Sequence, residues 1–182
     1  MKCDMHVHSK FSRESGRWVL RSLKAPESFT PPELIYELCR RRGMDLVTVT
    51  DINTIEGALS ISHLPGTFIS EEVRTFLPGT RTSVHLLLYD ISPRQHEETV
   101  RVRDSFPTLM EYIRDQGIVH SLAHPFYFPE TDLQNHEIRE VFSRVELLEA
   151  LNGNRSETEN RAVRTIARAV KDDSGFSGFT GG

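Results

Sequence analysis

The stretch Leu46-Val47-Thr48-Val49-Thr50 is a short run of apolar and β-branched residues, and Asp51 follows it directly. A run of this length and composition predicts a strand that is buried on both faces. A helix is predicted before it, over 31–42, and further apolar runs alternate with helical patterns along the chain. This alternation favours an α/β fold with parallel strands, in a barrel or an open sheet.

The helix predicted over 31–42 has recognisable ends. Thr30 is a candidate N-cap, Pro31 lies in the first turn, and Gly43 follows the last turn. Its predicted apolar face consists of Leu34, Ile35, Leu38 and Cys39.

Periodicity also predicts the remaining elements. The segment 175–182 is rich in glycine but contains two aromatic residues that a flexible linker would not need, so we expect it to begin a further strand. Strands are predicted over 3–8, 67–73, 84–91, 118–123 and 145–151, and helices over 107–116, 132–142 and 156–171.

The composition narrows the class of protein. The chain has 182 residues, the length of one ordinary domain, and its 22 basic and 26 acidic residues give a net charge of −4. This mild acidity disfavours a surface that binds nucleic acids non-specifically. Two cysteines predict no disulfide framework and suit a reducing, cytoplasmic location. The chain has no long apolar run and begins with charged residues, so we expect neither a secreted nor a membrane-spanning protein.

The segment Asp4-Met5-His6-Val7-His8 places polar side chains at alternate positions. Alternate residues of a strand share a face, so Asp4, His6 and His8 point the same way, with the two imidazoles about 7 Å apart. Such a pair can converge on a metal ion. Taken alone, a solvated polar strand face is an equally good interpretation.

Two carboxylate positions lie at the ends of predicted strands. Asp51 ends a buried strand, where barrel enzymes place catalytic groups, although capping of a helix that begins near Thr54 is an even alternative. Glu71 and Glu72 are adjacent in a strand and face opposite ways, so only one of them can face a site. Two exposed charges are the alternative for this pair.

Histidines also occur in two later strands. His85 begins an apolar run, where a histidine is more often a core residue than a ligand. His124 lies where its strand should end, directly before Pro125, which has no backbone N–H to donate to a neighbouring strand. This placement favours a functional site over a core role. His120 would share the strand face of His124, and packing in the core is an equally good role for it.

The candidates share a placement at or near predicted strand ends, which chance would rarely produce. Imidazoles and carboxylates without thiolates suit zinc, manganese or iron. The sequence has no glycine-rich phosphate loop and no Gly-x-Ser-x-Gly. The candidate set is His6, His8, Asp51, Glu72, His85 and His124.

Six stretches form an ordered set of motifs along the chain. They are Asp-Met-His-Val-His-Ser at 4–9, Val-Thr-Val-Thr-Asp at 47–51, Glu-Glu-Val at 71–73, Val-His-Leu-Leu at 84–87, Leu-Ala-His-Pro-Phe at 122–126 and Glu-Ala-Leu-Asn-Gly at 149–153. In this order they resemble the motifs of the PHP family, the polymerase and histidinol phosphatase metal-dependent phosphoesterases. The chain most resembles PHP domains that are sometimes fused to glycosyltransferases, so a fused or adjacent glycosyltransferase is an implied partner.

The resemblance implies a distorted (β/α)7 barrel, here a single domain over 1–182, with up to three metal ions at the carboxyl ends of the strands. By position, His6 and His8 would bind one metal, His85 and His124 would complete a second, and Glu72 would bridge the two. Asp51 would be a ligand or would position the attacking water. Candidates for a substrate phosphate are Lys10, Arg13, Arg17 and Arg21, with a solvated positive face as the alternative for the arginines.

Three departures from the family pattern affect this ligand set. Ile52 stands where the family usually has a histidine, and it cannot bind a third metal. Glu14 stands where related sequences have a histidine, and glutamate can still bind a hard or borderline cation. The chain stops at Gly181-Gly182, before the family's late Asp-x-His, so we expect a barrel without its closing strands.

These features predict a metal-dependent phosphoesterase that hydrolyses a small phosphorylated substrate through a metal-activated water. Asn152 or Asn154 would orient a ligand or line the pocket, unless both serve only the turn around Gly153. The alternative function is a degenerate PHP domain that binds metal or a partner without catalysis. Nuclease activity is disfavoured by the net charge of −4.

Overall fold

The computed structural model describes residues 1–12, 28–80, 82–125, 135–174 and 178–181, which form a mixed α/β fold. Its strands are β1 (Cys3–Asp4), β2 (Leu46–Val47), β3 (Ser70–Phe76), β4 (Ser83–Tyr89), β5 (Val119–Leu122), β6 (Leu147–Leu151) and β7 (Gly178–Gly181). Its helices are α1 (Pro32–Arg41), α2 (Glu56–Ile61), α3 (Pro93–Val102), α4 (Phe106–Asp115), α5 (Asn135–Arg144) and α6 (Glu157–Ser174).

Strands β3 to β7 form one sheet in chain order, and β1 and β2 form a separate parallel pair. In the larger sheet β3, β4 and β5 pair antiparallel, whereas β5, β6 and β7 pair parallel. Isolated bridges join Val47 to Thr67 and Ile52 to Glu72. Within the described ranges, no ladder closes these strands into a barrel.

The expectation of parallel strands throughout is wrong for β3 to β5. The connection from β3 to β4 is the short segment 77–82, and a parallel crossover would need a dozen residues or more. The further strand expected near the C-terminus is confirmed as β7, which pairs in parallel with β6.

The main core lies between the larger sheet and the helices. Leu86 and Leu88 of β4 point to this side and belong to one buried cluster with Phe106 and Leu109 of α4. Leu87 points to the opposite face, where it packs with Tyr89, Ala123, Met5 and Phe68. Because both faces of β4 are covered, its sequence is an unbroken apolar run after His85.

Most elements lie close to their predicted positions. Strands β3 to β6 and helices α4 and α6 begin and end within three residues of the prediction. The strand predicted over 3–8 is regular only at Cys3–Asp4. Helix α3 was not predicted, although Ser92 and Gln95 form the capping box at its start.

Helix α1 differs from its prediction at the cap and on one face. The N-cap is Pro31 rather than Thr30, and no side chain caps it. Ile35 and Cys39 are buried as predicted, but Leu34 and Leu38 are 43% and 39% exposed. No described helix is both long enough and apolar enough to cross a bilayer.

Candidate metal centre

Glu72 of β3 lies at the centre of a buried group of histidines. Its Oε2 is 3.2 Å from His6 Nε2 and 3.0 Å from His8 Nε2. Its Oε1 is 2.6 Å from His85 Nδ1 and 3.1 Å from His124 Nε2. The Glu72 side chain is only 1% exposed, so these imidazoles surround its carboxylate and each oxygen contacts one pair of them.

The register of β3 and β4 explains why Glu72, and not Glu71, faces the histidines. Glu72 pairs with Leu87, so it shares the sheet face opposite to the helices. Glu71 pairs with Leu88 on the helix side, where its Oε2 lies 2.9 Å from His96 Nδ1. The alternation along the strand correctly predicts that only one glutamate of the pair reaches this group.

His6 and His8 lie in the extended segment after β1, with ring centroids 5.0 Å apart. His8 Nδ1 is 3.2 Å from the Oγ of Ser12, and this Oγ also accepts a hydrogen bond from the Ile52 backbone N–H. Ser12, whose hydroxyl orients His8, is a site residue that sequence reasoning missed.

His124 reaches the group because of its backbone conformation. Strand alternation would place it with Leu122 on the helix side, but its φ of 29° turns the chain at the end of β5. Its backbone N–H donates to Glu149 Oε2 at 2.7 Å. His120 shares the predicted parity but pairs with Leu88 on the helix side, so the structure supports the packing alternative for this histidine.

Asp51 is fully buried and bound to Ser9. Its Oδ1 accepts the Ser9 N–H and its Oδ2 the Ser9 hydroxyl, each at 2.6 Å. Asp51 does not cap α2, whose N-cap is Ile55. The carboxylate therefore fixes the turn that follows His8. Burial raises the pKa of Asp51, although the hydrogen bonds from Ser9 oppose that shift.

Glu149 of β6 is a second buried carboxylate in contact with the histidines, and sequence reasoning did not assign it a role. Its Oε1 lies 2.9 Å from His6 Nδ1, and both of its oxygens accept hydrogen bonds of 3.1 Å from Asn152 Nδ2. The signal available in the sequence is a lone carboxylate in the middle of the apolar run 147–151.

The charges in this group shift its pKa values strongly. Burial by itself would lower the pKa of His6, but the attraction of Glu72 and hydrogen bonds to Glu149 outweigh it and raise this pKa to about 10. Burial would raise the pKa of Glu72, but His6 and His85 hold it well below its usual range. The pKa of Glu149 is also lowered against burial, through its hydrogen bond with His6. Burial lowers the pKa of His124, which favours its neutral form.

Without metal, the free energy of unfolding is expected to fall as the pH rises from about 6.5 to about 10. The folded-state pKa of His6 lies above its ordinary value of 6.5, so its stabilising contribution is complete below 6.5 and is lost through about 10. Glu72 and Glu149 have lowered pKa values, so their contributions are present above the ordinary value and lost in acid. Urea unfolding in the presence of a chelator, repeated across this pH range, measures the slope.

A matched pair of variants assigns that slope to one imidazole. His6→Asn should flatten it, whereas His63→Asn, at an exposed position, should leave it unchanged. Stability of the metal-free protein that increases from pH 6.5 to 10 would contradict the charge state given to His6.

Within the described residues, the atoms of three potential ligands lie within 4.8 Å of one another, namely those of His6, Glu72 and His124. This donor set of imidazole nitrogen and carboxylate oxygen suits zinc, manganese or iron. Because the carboxylate is buried among several imidazoles, a cation here would replace the protons that now join these groups. The residues present therefore fit a metal ion.

Of the candidates for substrate contact, Lys10 is the one within the described residues, and it lies outside this group. Lys10 is exposed, and its ammonium lies 5.4 Å from the centroid of the Phe11 ring. The other candidates, Glu14, Arg13, Arg17 and Arg21, lie outside the described residues.

A pocket opens beside the histidine group, at the carboxyl end of β6. Its volume of about 20 Å³ suffices for ordered water. Arg155 is the cationic side chain in its lining. The lining residues are His124, Pro125, Glu149, Asn152, Arg155, Glu159, Asn160 and Val163.

Comparison of the sequence with known proteins finds a relative but no family model. No family model matches the sequence. An uncharacterized protein of Methanocaldococcus jannaschii is 29% identical over 130 residues, which cover 69% of this chain and 68% of that protein.

The solved structures that share the fold include the following three. The first is a protein from Bifidobacterium adolescentis that is assigned by inference as a metal-dependent phosphoesterase. Its TM-score is 0.64 and its sequence identity is 12%, and the match covers 100% of this chain and 86% of that one. An amidohydrolase from Chromobacterium violaceum, solved with bound sulfate, has a TM-score of 0.61 and 14% identity over 100% of this chain and 87% of its own.

The third structure is a two-domain protein from Bacteroides vulgatus containing an inferred PHP-like metal-dependent phosphoesterase. It has a TM-score of 0.55 and 15% identity, and the match covers 98% of this chain and 50% of that one. The mixed α/β fold is thus the one seen in structures assigned to PHP-like metal-dependent phosphoesterases.

Proposed function

We propose that this chain is a metal-dependent phosphoesterase of the PHP type, acting on a small phosphorylated substrate. One observation carries the proposal: the two oxygens of the buried Glu72 carboxylate each contact one pair of imidazoles. Burying a carboxylate among four histidines from three segments costs free energy unless positive charge offsets it. Divalent cations bound by these groups would supply that charge.

The geometry supports a two-metal arrangement in this proposal. In it, His6 and His8 would hold one ion, His85 and His124 would hold the other, and the Glu72 carboxylate would serve both. Ions bound in this way supply a water of lowered pKa and offset the charge on phosphate oxygens. Asp51 acts through Ser9, because the Asp51–Ser9 contacts hold the turn that orients His8.

The pocket beside His124 has room for ordered water and not for a whole substrate, so it is proposed only as the place where one oxygen of the phosphate group would approach. Its guanidinium, from Arg155, suits the oxygens of a phosphate group because Arg can donate two parallel hydrogen bonds. Lys10, Arg13 and Arg17 remain proposed phosphate contacts, and Glu14 a proposed additional ligand.

Hydrolysis of p-nitrophenyl phosphate should require added manganese, zinc or iron and should stop with a chelator. His6→Ala should lower the metal-dependent rate by more than 100-fold, because loss of an outer partner of a ligand already costs about 10–100-fold. His96→Ala is the control, since His96 contacts Glu71 on the helix side and should retain activity. Hydrolysis indifferent to chelator or to His6→Ala would contradict the proposal.

A degenerate domain that binds metal or a partner without catalysis is the second candidate. Two observations favour it. Ile52 pairs with Glu72 through its backbone, but its side chain cannot bind metal. The ligand atoms that lie within 4.8 Å of one another come from three residues, His6, Glu72 and His124, which is fewer than a two-metal site uses. Metal analysis of purified protein discriminates between the two functions. Two or more ions per chain support the enzyme, and one or none supports the degenerate domain.

The finer expectations from the sequence belong to the same proposal. They comprise a (β/α)7 arrangement of a single domain, a cytoplasmic location, and a glycosyltransferase as a fused or adjacent partner. The choice among zinc, manganese and iron is likewise part of the proposal and is decided by metal analysis.

A further inference from the structure

Glu149 is outside the proposed ligand set, yet it contacts two members of that set. Its side chain is 1% exposed, and its two oxygens serve different partners. Oε1 lies 2.9 Å from His6 Nδ1, and Oε2 accepts the backbone N–H of His124 at 2.7 Å. Glu149 thus joins the histidines that lie on opposite sides of Glu72.

The contact with His6 determines which ring nitrogen is available. An ionised carboxylate only accepts hydrogen bonds, so the hydrogen must be on His6 Nδ1. The other nitrogen, Nε2, lies 3.2 Å from Glu72 Oε2 and faces the centre of the group. Nε2 is therefore the nitrogen that a metal ion can take.

Glu149 is itself held in place from helix α6. Asn152 Nδ2 donates to both of its oxygens. The backbone of Asn152 is fixed twice by the buried Asn160 of α6: its N–H donates to Asn160 Oδ1 at 2.9 Å, and its carbonyl accepts from Asn160 Nδ2 at 3.1 Å. Both oxygens of Glu149 are therefore already in use, which argues against Glu149 as a ligand.

We infer that Glu149 is a positioning residue that fixes the orientation and tautomer of His6 for metal binding, and that Asn152 and Asn160 anchor it to α6. This inference rests on the proposed function, because it assumes that His6 is a ligand. A carboxylate behind a metal-binding imidazole fixes the ring and makes the ligand nitrogen more basic.

The test measures metal affinity and the His6 tautomer in the zinc-loaded protein. Glu149→Gln should weaken zinc binding by about 10–100-fold in competition with a chelating dye. In the unsubstituted protein, ¹⁵N-edited spectra of the imidazoles should show His6 with a hydrogen on Nδ1 and metal on Nε2. Glu149→Gln should broaden or split this signal.

Two matched controls separate positioning from general destabilisation. Glu71→Gln changes a carboxylate of equal burial that contacts His96, and it should leave zinc affinity and the His6 signal unaltered. Should Glu149→Gln fail to fold, Asn152→Ala tests the same network. Asn154→Ala is its control: Asn154 is exposed and is not in the pocket lining, and it contacts Asn152 through its backbone N–H, which the substitution keeps.

The outcomes distinguish this inference from the proposed function. If the unsubstituted protein binds zinc and Glu149→Gln binds it within twofold, or if the metal is on Nδ1, the positioning role is overturned while the metal centre stands. A protein that binds no zinc, manganese or iron overturns both. Weaker zinc binding in Glu149→Gln together with the altered His6 signal supports the positioning role.

Discussion

Replacing Glu72 by Gln is expected to abolish metal binding and metal-dependent hydrolysis. The amide keeps the size of the side chain but loses the negative charge, and its nitrogen cannot serve as the second bridging donor. Because Glu72 contacts both histidine pairs, both proposed ion positions lose a ligand at once. We expect affinity to fall by more than 100-fold, beyond the range of about 10–100-fold found for outer partners. Dye competition and metal analysis measure it.

Glu71→Gln is the matched control for this substitution. Glu71 is the preceding residue of β3 and is equally buried, but it points to the helix side and contacts His96. Its substitution should retain the metal and the hydrolytic rate. If Glu72→Gln bound metal as the unsubstituted protein does, Glu72 could not be the bridging group.

Gly57→Ala is expected to destabilise the protein, although Ala ordinarily stabilises a helix relative to Gly by up to about 1 kcal/mol. A Cβ at Gly57 would lie 2.1 Å from Asp51 Oδ2 and 2.7 Å from Ser9 Oγ, so the Asp51–Ser9 contact would have to move. Overpacking of this kind costs about 1–3 kcal/mol. Because Ser9 directly follows His8, we also expect weaker metal binding.

Gly79→Ala is the control for that substitution. Gly79 has a φ of 72° and lies in the turn between β3 and β4, where a Cβ would meet no atom within 4 Å. Its cost is backbone strain of about 1–2 kcal/mol, without an effect on metal affinity. Urea unfolding and dye competition compare the two variants. A Gly57→Ala protein more stable than the original would show that the close approach to Asp51 is not required.

Local patterns in the sequence predicted most of the elements correctly. The alternation in β3 showed that Glu71 and Glu72 must face opposite ways, and the apolar run that follows His85 predicted strand β4. The capping box of Ser92 and Gln95 is likewise a local signal, and it marks the start of α3. The two exposed leucines of α1 were mispredicted because periodicity defines an apolar stripe without defining how much of it another element covers.

The histidine group shows where such patterns stop being sufficient. The alternation that explains Glu72 would have sent His124 to the helix side, and the φ of 29° at that residue reverses the expectation. Asp51 was predicted to follow a strand directly, but β2 ends at Val47 and residues 48–51 continue without regular pairing. Whether Asp51 binds a cation or a hydroxyl depended on the position of Ser9, 42 residues away in sequence.

The sequence by itself determined the kinds of donor available, the order of strands and helices, and which side chains share a face of each strand. These properties follow from local backbone geometry, which repeats every two residues in a strand. Only the tertiary structure decided that β3 to β5 run antiparallel and that Glu149 contacts His6, 143 residues away in sequence. The reason is physical: periodicity orients a side chain about its own strand, whereas the partner it meets is set by how separate elements pack.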